Sequence, residues 1–117
     1  MRKEIEDRLI HLSQRVNQLC KKLDGSFISE HLKKQIIRSS TSAALNYGEA
    51  QGAESKADFT HKVSIILKEL RETQISLKLL SESVKENAKG DMNFCQDECA
   101  QLVAIFHKTV LTAKNNK

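Results

Sequence analysis

The residues best suited to chemistry are few, and their spacing argues against most of the chemistry they might do. Cys95 and Cys99 stand four positions apart, one helical turn, and Cys20 lies far upstream. A zinc site takes four ligands and commonly a Cys-x-x-Cys knuckle, and these three thiols supply neither. Asp58 and His61 are three apart, but a di-iron centre needs Glu-x-x-His on each of two helices, and "EHLKK" around His31 does not provide it. His11, His31 and His61 read as solvated faces or helix ends, and His107 neighbours the apolar Phe106. Gly-rich phosphate loop, nucleophile elbow and paired acidic motif are all missing. The expectation is a non-enzyme with no metal and no other cofactor.

Two other constellations are denser. In "QIIRSSTSAALNYGEA", Gln35, Ser39, Ser42, Asn46 and Glu49 follow steps of four, three, four and three, one polar stripe on a helix. Ile36, Ser40, Ala43 and Ala50 run beside it, so a neighbouring helix can approach closely. Hydroxyl and amide groups buried this way must find partners. Either they bond one another and the facing helix, Asp58 or Glu69 for instance, or they face a groove or an oligomer axis and touch a ligand. The second constellation is basic. Lys33, Lys34 and Arg38 lie together, Lys56 and Lys62 follow, and Arg2, Lys3, Arg8, Arg15, Lys21 and Lys22 sit toward the N-terminus. Such cations suit phosphate backbones. Tyr47 is the one aromatic expected at the surface, so base stacking is scarce and any binding should be weakly sequence-selective.

Four helices have to position these groups, at about 3–23, 29–52, 55–88 and 92–114. The first carries Ile5, Leu9, Leu12, Val16, Leu19 and Leu23 in alternating steps of four and three, the apolar seam of a left-handed bundle. "DGS" breaks it, with Gly25 suited to a left-handed cap. Ser29 is the expected cap of the second helix. Ser55 caps the third, with Asp58 in capping-box position. That helix holds Phe59, Val63, Ile66, Leu70, Thr73, Leu77, Leu80 and Val84 inward and, at about thirty residues, would span about 45 Å. "AKGD" ends it. The fourth helix follows with Met92, Cys95, Cys99, Leu102, Phe106, Val110 and Ala113 inward, and the tail Ala113–Lys117 is expected to fray. Short connections make an antiparallel up-down-up-down four-helix bundle the natural all-α solution, one domain over 1–117.

A chain of 117 residues can bury a core unaided, and its 29% charged residues, absent Pro and four Gly suit long helices. Net charge is +4, a mild lean toward anionic partners. "MRKEIEDR" reads as lacking a secretory signal, nothing approaches a membrane span, and three unpaired-looking cysteines fit a reducing cytoplasm. Apolar residues exceed what the seams use. Leu45, Tyr47, Ile65, Ile75 and Leu79 lie off the core face, with Ile10, Val103, Ile105 and Leu111 besides. Several wet apolar residues per helix predict a homo-oligomer, with the first five as interface candidates.

The run from Gln35 to Ala50, followed by "SKADFTHKVSIILKELRET", resembles the signature of the 23S rRNA intervening-sequence protein family. That pattern has Gln, then Arg/Lys-Ser-x-x-Ser, Asn-x-x-Glu-Gly, Ser-x-x-Asp/Glu-Phe, and Glu-Leu with a further Glu. Here the positions are Gln35, Arg38, Ser39, Ser42, Asn46, Glu49, Ser55, Asp58, Phe59, Glu69, Leu70 and Glu72. The motif part covers about half the chain, and Ala50 replaces the Gly expected after Glu49. The resemblance implies a small bacterial four-helix bundle, commonly a homopentameric ring. The family is also similar to the accessory variability determinant of diversity-generating retroelements, a basic pentameric bundle that associates with a reverse transcriptase and nucleic acid. The combined expectation is a non-enzymatic cytoplasmic scaffold that partners itself, and RNA or DNA through Lys33, Lys34, Arg38, Lys56 and Lys62. The alternative is an adaptor for another protein, with no role for nucleic acid. Neither reading involves a membrane.

Overall fold

The computed structural model describes residues 2–115. Four helices, α1 (Arg2–Lys21), α2 (Phe27–Gln51), α3 (Lys56–Leu80) and α4 (Lys89–Asn115), carry the chain, with no strand among the described residues. They pack α1 on α2, α2 on α3, α3 on α4 and α4 on α1 around one core, within 47 × 24 × 20 Å. Most of the residues whose spacing suggested four seams lie inside, but Phe59, expected inward, is exposed, and Ile5, Val84 and Ala113 near the helix ends are half-buried. Leu9, Leu12, Val16 and Leu19 of α1 meet Val63, Ile66, Leu70 and Leu77 of α3 and Cys95, Cys99, Leu102 and Phe106 of α4, each essentially without exposure. The expected fraying past Ala113 falls partly on 116–117, which lie outside the described residues; α4 itself continues to Asn115.

The helix ends differ from expectation in physically instructive ways. Two serines three apart, Ser26 and Ser29, both suit a helix cap, and Ser26 takes the role. Asp24 accepts a hydrogen bond from the Ser26 amide at 3.0 Å, holding Ser26 extended at φ −63° and ψ 158°. Its Oγ then accepts from the Ser29 amide at 3.3 Å, while Ser29 is buried inside the first turn. So α2 starts at Phe27 rather than about 29, and Phe27 is left 95% exposed. No glycine among the described residues has positive φ, so Gly25 does not form a left-handed cap. The α1 end is closed instead by tight bonds from Lys22 and Leu23 to Leu19 and Cys20.

Ser55 caps α3 as expected, but Asp58 does not close the capping box, since its carboxylate accepts from the amide one residue before the cap. The Ser55 Oγ accepts from the Asp58 amide at 3.0 Å, and an Asp58 carboxylate oxygen accepts from the Glu54 amide at 3.3 Å. The far end of α3 is shorter than periodicity suggested. The seam register runs on to Val84, but the helix stops at Leu80, giving about 37 Å rather than 45 Å. Two 3-10 turns follow, Ser81–Ser83 and Glu86–Ala88, with Val84 extended between them at φ −91° and ψ 123°. Ala88 is fully buried and anchors the second turn, which runs directly into α4 at Lys89. "AKGD" is therefore a helix start and not a break, and α4 begins three residues earlier than expected.

Candidate functional site

The polar stripe of α2 lies along the line where α2 meets α3, and it is split lengthwise. Its inner edge is tied down. Ser39 is buried and its hydroxyl lies 2.7 Å from that of Thr73, which donates to the Glu69 carbonyl at 2.9 Å. The Asn46 amide reaches back to the Ser42 carbonyl and hydroxyl at 2.9 and 3.1 Å. Its outer edge, Gln35 and Glu49, is exposed. Asp58 is spent on the α3 cap, as above. Among the described residues no buried side-chain nitrogen or oxygen lacks a partner. Ala50, in the place of the expected Gly, is buried within the core, and a side chain at Gly48 would meet nothing within 4 Å.

The five basic candidates do not form a free patch. Arg38 donates to Glu69 at 2.9 Å and to Glu72 at 2.8 Å, and these carboxylates hold its guanidinium above its ordinary pKa. Burial pushes the Glu69 carboxyl up, but hydrogen bonds with Glu72, Ser42 and Arg38 outweigh it and hold the group below its usual value. Lys62 donates to Glu49 at 2.7 Å, and Lys33 pairs with Glu30. Only Lys34 and Lys56 of the five are exposed without such a bond among the described residues. Three N-terminal cations are likewise engaged, all with α4. Arg8 grips Glu98 at 2.7 and 2.9 Å; Arg15 and Lys22 both hold Asp91, at 3.1 and 2.7 Å. Arg15 also lies 4.2 Å over the Phe94 ring.

The apolar candidates divide similarly. Leu45, Ile75 and Leu79 are exposed by 68%, 53% and 51%, whereas Ile65 is half-buried. Tyr47, expected outside, is half-buried with its ring edge-on to Phe106 at 5.8 Å. Exposed apolar residues missed by sequence reasoning are Phe27, Ile28 and Ile37. Between α2 and α3 a groove of about 500 Å³ is lined by Gln35 and Arg38 on one side and Lys68, Glu72 and Ile75 on the other. Gln35 of the stripe therefore borders open space beside an apolar wall.

The cysteines behave as small core residues. All three are buried thiols, and the Cys99 thiol donates to the Leu70 carbonyl at 3.3 Å. Burial pushes Cys20 up to about 11 and Cys95 and Cys99 to about 12, far from thiolate chemistry. Among the described residues no three His, Cys, Asp or Glu side chains gather as a metal cage, and no helix is long and apolar enough to cross a membrane.

The family model for the 23S rRNA-intervening sequence protein matches residues 3–108. The chain is similar to a crystal structure from Bacteroides thetaiotaomicron VPI-5482, described as a protein with unknown function from the S23 ribosomal protein family. The TM-score is 0.74 at 28% identity, covering 91% of this chain and 97% of that one. No curated protein matches. The family match spans nearly all of α1 and every later helix up to the last turns of α4, so the resemblance seen in α2 and α3 extends over the whole fold: the chain belongs to the 23S rRNA-intervening sequence protein family.

Proposed function

We propose that the protein is a non-catalytic, homo-oligomeric scaffold of the cytoplasm, in which the outer faces of α2 and α3 join one copy to the next. The single observation that carries this reading is the number of exposed apolar residues on these two helices: Ile28 and Leu45 on α2, and Ile75 and Leu79 on α3. Ile75 also lines the groove of about 500 Å³ between the two helices, whose dimensions suit side chains of an adjoining helix. Within each copy the helices alternate in direction, up-down-up-down. Supporting this, Arg8 pairs with Glu98 while Arg15 pairs with Asp91, and Arg38 pairs with Glu72 while Glu49 pairs with Lys62. A closed ring, the pentamer that the family resemblance implies, gives a heterologous contact of this kind a way to terminate. The test is Ile75→Lys with Leu79→Lys. Native mass spectrometry is expected to report smaller assemblies while the far-ultraviolet circular dichroism stays helical. Unchanged mass in the double variant rejects this face as the contact.

A second reading, association with RNA or DNA, is favoured by cations left over from the ion pairs. Lys34 and Lys56 are exposed, as are Lys68, Lys78 and Lys108, and each copy in an assembly adds a net +4. Binding through them is backbone-driven, so its affinity falls steeply with salt, whereas apolar docking of a partner protein does not weaken. Fluorescence anisotropy with a labelled 23S rRNA fragment tests it: no binding even at low salt removes nucleic acid from the account.

A further inference from the structure

A second, larger groove of about 900 Å³ opens at one end of the molecule, lined by the first turns of α1 and α3 and the last turns of α2 and α4. Residue size explains it. At this level each helix contributes one seam residue, and these are Ile5, Ala50, Phe59 and Ala113. Two of the four are alanine, whereas Leu9, Val63 and Phe106 close the core behind them. Phe59 is left 36% exposed beside the gap. The volume lies within the range of small-molecule sites.

The lining also selects what can enter. Its deep walls, Ile5, Val63 and Phe106, offer no hydrogen bonds. Three of its hydroxyls already hold a bond: Thr60 donates to the Lys56 carbonyl, Thr109 to the Ile105 carbonyl, and Ser55 accepts from the Asp58 amide, while Tyr47, Gln51 and Thr112 line it as well. The part of a ligand that lies against Ile5, Val63 and Phe106 must therefore be apolar, because a polar atom there would be buried without a partner. The mouth is charged. Arg8 there is taken up by Glu98, which leaves Arg2, Lys56 and Lys108 against Glu4 and Glu54, three cations to two carboxylates and an excess of one positive charge.

We propose that this groove binds an amphiphilic monoanion, a hydrocarbon chain ending in one carboxylate, with the chain against Ile5, Val63 and Phe106 and the head among Arg2, Lys56 and Lys108. The site is distinct from the α2–α3 face and does not depend on self-association.

The probe is decanoate, titrated far below its micelle concentration into the methyl-labelled full chain. The Ile5, Val63 and Ile105 methyl resonances are expected to shift and saturate together, while Ile75 and Leu79 stay put. Decyltrimethylammonium, with the same tail and opposite head charge, should bind about tenfold more weakly or worse, a difference of about 1.4 kcal/mol. Ala113→Leu fills the groove with a residue that belongs in an apolar wall. It should lower decanoate affinity about tenfold or more without lowering the thermal midpoint. The proposal is overturned by shifts spread equally over Ile75 and Leu79, by equal affinity for the two head groups, or by full affinity in Ala113→Leu. Absent binding, joined to a changed native mass in Ala113→Leu, also overturns it and assigns the groove to a second copy of the chain.

Discussion

Thr73→Val isolates what the small polar inner face of α2 contributes. Each of the two buried hydroxyls has one proton to give. The two short contacts, 2.7 Å from Ser39 to Thr73 and 2.9 Å from Thr73 to the Glu69 carbonyl, form a relay in which Ser39 donates to Thr73 and Thr73 to the backbone. Ser39 has a poorer alternative, the Ile36 carbonyl at 3.3 Å. Valine keeps the shape of threonine but deletes the relay's middle, so Ser39 must fall back on that longer bond in a site only 1% exposed. A buried hydrogen bond is worth about 1 kcal/mol net and an unsatisfied group costs about 1–3 kcal/mol. Thr73→Val should therefore destabilise by about 1.5–2 kcal/mol, and Ser39→Ala, which leaves Thr73 its bond to Glu69, by about 1 kcal/mol. The double variant carries the argument, because it removes the stranded hydroxyl. Ser39→Ala in the Thr73→Val background should be neutral or stabilising, giving a coupling of about 1 kcal/mol in a double-mutant cycle. Urea unfolding of the four proteins at one fixed concentration measures it. Strict additivity within about 0.3 kcal/mol would show that the relay does not exist.

Other expectations follow from the same geometry. Asp91 is 7% exposed and ties the first turn of α4 to Arg15 of α1 and to Lys22 just past its end; since the Lys22 side chain is 42% exposed and rehydrates, Asp91→Asn should cost only about 2 kcal/mol. Hydrogen bonding from Lys22 holds the Asp91 carboxyl below its ordinary 3.8 against the opposing effect of burial, with Arg15 adding to it. Its stabilisation is thus complete above the unfolded-state pKa and fades as pH falls through the lower folded value; acid unfolding of Asp91→Asn should be shallower in that window, and identical acid profiles would refute the clamp. With Cys20 near 11 and Cys95 and Cys99 near 12, thiol labelling of the folded protein at pH 8 should be slow for all three and become fast in denaturant; rapid native labelling contradicts their burial. Ser55→Ala removes the α3 cap and should cost about 1 kcal/mol, while Ser29→Ala should behave as a buried-residue change and leave α2 beginning at Phe27, as amide exchange at residues 27–30 would report.

What the sequence made legible follows from the range of each interaction. The four seams are local patterns, repeated every three to four residues, and Leu9 to Leu19 or Val63 to Leu77 could be read directly. Glu69 as a partner for the α2 stripe was also within reach, because a carboxylate among inward leucines needs a counterpart. Helix ends were less legible. Ser26 and Ser29 carry the same local signal, and the choice between them rests on the turn at Asp24; the stop at Leu80 comes while the apolar period still runs on to Val84. Long-range pairs were hidden altogether. Nothing near Arg38 or Lys62 in the chain reveals Glu72 or Glu49, thirty-four and thirteen residues away, so a basic cluster that looked free is largely neutralised. Tyr47 likewise gives no local hint of Phe106. The end groove was missed for a further reason: Ala50 and Ala113 look unremarkable singly and create space only where they meet.

Sedimentation equilibrium of the unmodified protein over a wide concentration range tests the scaffold reading most directly. A discrete mass of several chains, lowered by Ile75→Lys with Leu79→Lys, is the expected result. A mass of 13.2 kDa, one chain, at every concentration would contradict it, and the exposed Leu45, Ile75 and Leu79 would then need another explanation.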